Sequence, residues 1–303
     1  MGALRARRKM ILVVGATGTL GRKVSRLLLK GGSQVRAMTR VIADADELKA
    51  LGARPVRGDL RDPDAVEFAV RGARAVVATA HSILGRRDSS SDIVDYIGHR
   101  KLIDLAKKAG VEHFIYMSVV GASPDHPLDF FRTKARIERY VEESGMAYTI
   151  IRATAFIEMH AYELIGKQVM EGKRVMLFGK GRNPRNFVAA EDVAKAIGGA
   201  LQLPALRGKS IDIGGPENLT DHQVVETFER VSGRKAKVSH VPLSVVRTMS
   251  RVIKPVHPGI SRVMRLGIIS ETTDQTFDPS RFRSEMPIGL TTLEDWIKDR
   301  LRA

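Results

Sequence analysis

The chain of 303 residues contains no cysteine, which excludes a disulfide scaffold, Cys-ligated zinc, iron–sulfur clusters and thiol nucleophiles. The same absence fits a reducing compartment, so a cytoplasmic setting is the expectation. Aromatic residues make up only 5%, leaving few platforms for base stacking, and no segment has the form of a helix-turn-helix, zinc finger or RNA-binding signature. Nucleic acid is therefore not an expected partner. No apolar run approaches the ~18 to 20 residues of a membrane span, and Met10 to Val14 is only strand length, so no transmembrane segment is expected. The opening Arg5, Arg7, Arg8 and Lys9 lacks the apolar core of a signal peptide and reads as a basic tail. The eight histidines are scattered without ligand spacing, and no metal site is expected.

What is present describes a globular protein. Apolar residues make up 43%, and 50 Lys and Arg stand against 34 Asp and Glu, a formal charge of +16. The first half alternates short apolar runs with helix-period segments, the sequence form of βαβ units and a parallel sheet. Strands are expected at Met10 to Val14, Gln34 to Met38, Pro55 to Arg57, Ala75 to Thr79, Phe114 to Met117 and Tyr148 to Arg152. The fold class is thus α/β: a Rossmann-type, doubly wound parallel sheet with a smaller C-terminal α/β lobe. Residues 1–155 form the dinucleotide-binding domain, with 185–213 returning to its sheet. Residues 156–303 form the smaller lobe for a substrate or partner.

The first strand runs straight into Gly15-Ala16-Thr17-Gly18-Thr19-Leu20-Gly21, and Val24, Leu27 and Leu28 behind it supply an apolar helix face. Glycines at 15, 18 and 21 suit, in turn, a tight turn, close backbone approach to a pyrophosphate and helix-to-strand packing. The helix start presents free N–H groups and a positive pole to phosphates. A glycine pattern alone is weak, but this one follows a strand and opens a helix within a βαβ unit.

The end of the second strand distinguishes the two dinucleotides. An NAD enzyme places Asp or Glu there for the ribose 2′-hydroxyl; here the residues are Met38-Thr39-Arg40. A hydroxyl and a guanidinium suit a 2′-phosphate, so NADP(H) is favoured over NAD(H), with Arg22 as a second contact. Further cofactor contacts are expected at the carboxyl ends of later strands: Gly58, Asp59 and Leu60; Ala78, Thr79 and Ala80; Met117 and Ser118; and Ala153, Thr154 and Phe156. Asp59 would meet the adenine amino group, cap the helix that follows, or do both.

The segments from Gly15 to Gly21, Val35 to Arg40, Gly58 to Leu60 and Thr149 to Arg152 together resemble the atypical short-chain dehydrogenase/reductases, and within them the NmrA-like NAD(P)H-binding group. Phe187 to Ala194 and Thr292 to Trp296 are similar too, so the resemblance spans nearly the whole chain. It implies an NADP(H)-binding protein that passes hydride to a quinone or conjugated carbonyl, or alternatively a non-catalytic redox sensor or accessory subunit. The family's reductases often pair Tyr with Lys four residues on; this chain reads Phe130-Phe131-Arg132-Thr133-Lys134. The lysine is kept as the candidate catalytic residue, holding the ribose, but a phenyl ring transfers no proton. The serine that usually assists would be Ser118, one place early, with Val119 at the usual position. Substitutes for the missing acid are His81, His126, His160, Tyr96 and Tyr162, of which His81, at a strand's carboxyl end, is best placed.

One stretch lacks acidic residues altogether. Residues 230–270 hold nine Lys or Arg and no Asp or Glu. Leu243, Val246, Met249 and Ile253 repeat there at helical spacing, with Arg247, Arg251 and Lys254 on a separate stripe. Such a segment is a solvated helix face, a pocket for an anionic substrate, or a contact for an acidic protein or membrane surface, the last placing the protein at a membrane periphery.

Overall fold

The computed structural model describes residues 10–85 and 92–302. The strands, in chain order, are β1 (Met10–Val14), β2 (Gln34–Thr39), β3 (Arg54–Arg57), β4 (Ala75–Ala78), β5 (His113–Val119), β6 (Tyr148–Ala153), β7 (Ala155–Phe156), β8 (Val175–Phe178), β9 (Arg185–Val188), β10 (Lys209–Ile213), β11 (Asn218–Leu219) and β12 (Val238–Val241). Seven of them form the main sheet in the order β10-β6-β5-β4-β1-β2-β3. Its strands from β3 through β2, β1 and β4 to β5 pair parallel. Chain order reverses between β1 and β4, the switch point at which open α/β sheets bind ligands.

The composition of the central strands β1, β4 and β5 follows from burial on both faces. Leu12, Val13, Val76, Val77, Phe114 and Ile115 are wholly enclosed, so the runs are continuously apolar rather than alternating. Helix Thr19–Lys30 lays Leu20, Val24 and Leu28 against the sheet. Helix Pro63–Val70 starts where Asp62 accepts from the backbone N–H groups of Asp64 and Ala65, with proline in the first turn.

The chain divides into two compact units. The first comprises residues 1–82, 88–152 and 193–211, and the second 83–87, 153–192 and 212–303. The second unit holds two small sheets, β11-β9-β7 and β12-β8, over a core that includes Ile157, Ile165, Leu177, Phe187 and Phe228. This corrects one expectation: β9 does not return to the main sheet, and only β10 does, following helix Ala190–Gln202. β9 pairs parallel with β7 and antiparallel with β11 instead. A short apolar run such as Phe187-Val188 announces a buried strand without saying which sheet receives it.

Candidate cofactor and catalytic site

At the end of β1 the backbone turns at Gly15 with φ +80°, and a carbon-β there would lie 2.9 Å from the nitrogen of Ala80. Left-handed backbone and close approach both demand glycine. Thr79 fastens the adjoining loop by donating from Oγ1 to the Val14 carbonyl at 2.9 Å. A carbon-β on Gly21 would lie 2.1 Å from the Gly15 carbonyl oxygen, so helix and turn meet backbone to backbone. The helix that follows has no side-chain cap at Gly18 and no acidic residue in its first turn. Gly18 and Thr19 are exposed, so the donors and positive pole of the helix face solvent, a fit for the phosphates of a dinucleotide. Leu20 is buried beneath them.

Thr17 and Thr39 bring their hydroxyl oxygens within 3.2 Å, tying the glycine turn to the end of β2. Next to Thr39, Arg40 is exposed and has no hydrogen bond or ion pair among the described residues, leaving its guanidinium available to an anion. Arg22 differs from expectation. Its guanidinium is engaged, donating to Glu47 Oε2 at 3.0 Å and to the carbonyls of Thr17 and Asp44 at 3.3 Å each. Sequence reasoning also missed Arg57, exposed at the end of β3 in register with Thr39. Arg57 thus ends the strand beside the one that leads into Arg40.

Asp59 accepts from Nε and Nη2 of Arg61 at 2.9 and 2.8 Å, and from the Arg61 backbone N–H at 2.9 Å. The Arg61 hydrogen bonds, opposed by partial burial, hold its carboxyl below the ordinary range. The helix after it is capped by Asp62, so the capping role expected of Asp59 falls three residues later. Gly58 and Leu60 are buried beside it, and Ala78 is wholly enclosed at the end of β4.

Lys134 lies 3% exposed on helix Asp129–Glu143, its Nζ donating to the Met117 carbonyl at 2.8 Å. Nζ also stands 4.7 Å from the centre of the Tyr116 ring and 5.7 Å from that of Phe130. Burial lowers the Lys134 pKa from its ordinary value, and the carboxylates of Asp95 and Glu138 oppose the shift. Ser118 Oγ is buried without a hydrogen-bond partner among the described residues.

Around this lysine is a buried polar cluster that no sequence motif announced. Asp95 accepts from the Ser82 backbone N–H at 2.9 Å, and His99 Nδ1 lies 2.8 Å from the Asp95 carbonyl. His99 stands edge-on to Tyr116, ring centres 5.4 Å apart, and both His99 Nε2 and Tyr116 Oη lack partners among the described residues. Glu138 is held by Arg152 Nε and Nη2 at 3.0 and 2.6 Å. Burial pushes the His99 imidazole down to about 4 and the Tyr116 phenol well up, so both stay neutral at pH 7. The signal was the four-residue spacing of Asp95 and His99 on one helix face.

Among the proposed acids, His81 meets Phe130 edge-on with centres 6.2 Å apart. The residue is exposed, so water reaches its imidazole. His126 stacks on Phe131 at 4.0 Å, and the Tyr96 ring lies under Arg136. In the second unit Thr154 donates from Oγ1 to Asn186 at 2.9 Å, Phe156 pairs with Val188 next to Ala153 and Ala155, and Tyr162 lies under Arg300. His160 is lowered to about 3 by burial and the charge of Arg185. No group of three or more metal-ligating side chains occurs among the described residues.

A reversed parallel sheet with a glycine turn at its switch point defines a Rossmann-type, doubly wound α/β fold, with a buried lysine on the helix after β5. The chain belongs to the NmrA-like family, whose model matches residues 7–297. It is 28% identical over 292 residues to photosystem II assembly factor Ycf39 of Trieres chinensis, spanning 94% of this chain and 91% of that protein. It is 32% identical over 238 residues to an NAD(P)H azoreductase of Xenophilus azovorans, spanning 77% of this chain and 78% of that protein. The fold is shared with an NADPH-dependent quinone oxidoreductase of Escherichia coli solved with NADPH, with TM-score 0.76, 23% identity, and 96% and 100% of the two chains covered.

Proposed function

We propose that the protein is an NADP(H)-dependent reductase that passes hydride to a quinone or conjugated carbonyl. The observation that carries this reading is Lys134, a buried ammonium on the Met117 carbonyl in the same unit as an uncapped glycine turn. The azoreductase relative and the quinone oxidoreductase fold support the substrate class.

Backbone N–H groups from Gly15 to Gly21 would hold the pyrophosphate, and Arg40, with Arg57 at the end of the neighbouring strand, the 2′-phosphate. Thr39 and Thr17 brace that corner. Lys134 and Ser118 would take the nicotinamide ribose, its hydroxyls supplying partners for the unpaired Ser118 Oγ. Bound NADPH supplies a hydride, that is, two electrons and one proton. Reduction of a quinone to a hydroquinone then needs one further proton. Phe130 has none to give, whereas the Lys134 ammonium has one, and burial eases its release. Asp95 and Glu138 keep the amine chargeable so that it can be reprotonated.

One observation favours a second reading, in which the protein holds NADPH without turning it over, as a sensor or accessory subunit. It is Phe130, which removes the phenol from the usual position. An assay of NADPH oxidation with a panel of quinones and enones separates the two. Turnover that disappears in Lys134→Ala while NADPH binding persists supports the reductase. Tight NADPH binding with no turnover on any acceptor supports the second reading.

A further inference from the structure

A chain of hydrogen bonds ties Arg22 to the end of β2. Its Nη2 donates to the Thr17 carbonyl at 3.3 Å, and the Thr17 hydroxyl oxygen lies 3.2 Å from that of Thr39. Thr39 Oγ1 in turn donates to the Val41 carbonyl at 3.0 Å, a bond that spans Arg40. Arg22 also closes the first turn of helix Thr19–Lys30, its backbone N–H donating to the Gly18 carbonyl at 2.9 Å, and no acidic residue of that turn opposes it. A guanidinium at this corner is placed to serve an anion, and the anion it serves is Glu47.

Glu47 lies in helix Asp46–Ala50, which follows β2. One of its oxygens accepts from Arg22 Nη1 at 3.0 Å, and the other accepts from Arg26, one turn farther along the same helix. The second prong of Arg22 is held by the Thr17 and Asp44 carbonyls. The hydrogen bond from Arg26, then that from Arg22, keeps the Glu47 carboxyl below its ordinary range against a small opposing effect of burial, so it is ionised at pH 7. Arg40, by contrast, is exposed and has no ion pair among the described residues.

Building on the NADP(H) reading, we propose that Glu47 sets the dinucleotide preference by holding Arg22 away from the 2′-phosphate, which restrains the grip on NADPH and leaves NADH unaffected. The two dinucleotides differ only in that phosphate, about two negative charges at pH 7. A carboxylate at the corner repels those charges and occupies a guanidinium that would otherwise pair with them. The Arg22 and Glu47 side chains are 31% and 43% exposed, so the pair is weak and within reach of a group arriving from solvent. NADP+ carries the same phosphate, and the restraint therefore also eases departure of the spent cofactor.

The test uses Glu47→Gln, which keeps the shape and removes the charge, alone and combined with Arg22→Gln. Each protein is titrated with NADPH and with NADH, and thermal unfolding checks that both variants stay folded. Glu47→Gln should bind NADPH about three- to tenfold more tightly than wild type, with NADH changed by less than about twofold. Adding Arg22→Gln should cancel the gain, since the effect runs through that side chain. Weaker binding of both dinucleotides would make Glu47 a brace for the loop and overturn the proposal. A gain that survives Arg22→Gln would overturn it too, because the carboxylate would then act without Arg22. Unchanged NADPH affinity in Glu47→Gln, on a wild type that binds NADPH, overturns this inference alone, whereas a wild type that binds neither dinucleotide fails the NADP(H) reading and the inference with it.

Discussion

Lys134 donates from Nζ to the main-chain carbonyl of Met117 at 2.8 Å, and so one hydrogen bond joins the helix after β5 to the carboxyl end of β5 itself. The carbonyl fixes the amine against the sheet, and the Tyr116 ring beneath it offers a π-face to the positive charge. The ammonium is therefore held where the chain leaves the sheet, without a surface counter-ion to swing it away.

That relationship fixes an alkaline limb. Burial favours the neutral amine, so Lys134 loses its proton below the ordinary lysine range. The rate of NADPH-dependent reduction should fall as pH rises through that lowered value. Asp95→Asn removes one carboxylate that sustains the charge and should move the limb to lower pH. A limb that stays in place in Asp95→Asn would rule Lys134 out as the group being titrated.

Gly21→Ala should be costly out of proportion to one methyl group. The added carbon would lie 2.1 Å from the Gly15 carbonyl oxygen, which is backbone and cannot rotate away. A loss of about 1 to 3 kcal/mol of stability is expected, together with weakened dinucleotide binding. Chemical denaturation and an NADPH titration of the variant read the two effects. A variant as stable and as tight as wild type would show that the turn relaxes freely.

Acid stability should carry the signature of buried neutral histidines. His99 and His113 both fall to about 4 from 6.5, each chiefly through burial. Above pH 6.5 neither state is protonated and their contribution is complete. Between pH 6.5 and 4 the unfolded chain takes up protons that the folded one refuses, so stability falls as pH falls. Each histidine accounts for roughly 3 kcal/mol or less across that window. Denaturation midpoints measured at several pH values should drop through it, less steeply in His99→Asn. An unchanged slope in that variant would place the proton uptake elsewhere.

Arg40→Asp should reverse the preference between dinucleotides. It replaces an exposed guanidinium with a carboxylate that accepts a hydrogen bond from the ribose 2′-hydroxyl. NADPH affinity should drop by about one to two orders of magnitude, the worth of a charge-assisted hydrogen bond, while NADH holds or tightens. Equal losses for both dinucleotides would mean that Arg40 reads no phosphate.

Much of the fold was legible because it repeats one physical signal. Short apolar runs, enclosed on both faces in β1, β4 and β5, marked the strands, and β1 to β6 were each observed within one or two residues of the expected bounds, although β3 has no buried residue. The glycine turn was legible for the same kind of reason, since Gly15 and Gly21 answer to backbone geometry that only glycine meets. The second unit was harder. β7 and β11 are two residues each, too short for periodicity, and β9 looks like any buried strand. Arg22 was misjudged because its partner, Glu47, is 25 residues away and only the folded chain brings them together. The Asp95, His99 and Tyr116 cluster was missed because β5 and the helix before it reveal their contact only once packed.

The most direct test of the account is a parallel titration of the purified wild-type protein with NADPH and NADH, followed by nicotinamide fluorescence at moderate salt. Saturable binding of NADPH, clearly tighter than that of NADH, is the predicted result, because the uncapped glycine turn and Arg40 lie in one unit. No binding of either dinucleotide would contradict the account at its root, and tighter binding of NADH would contradict the assignment of Arg40.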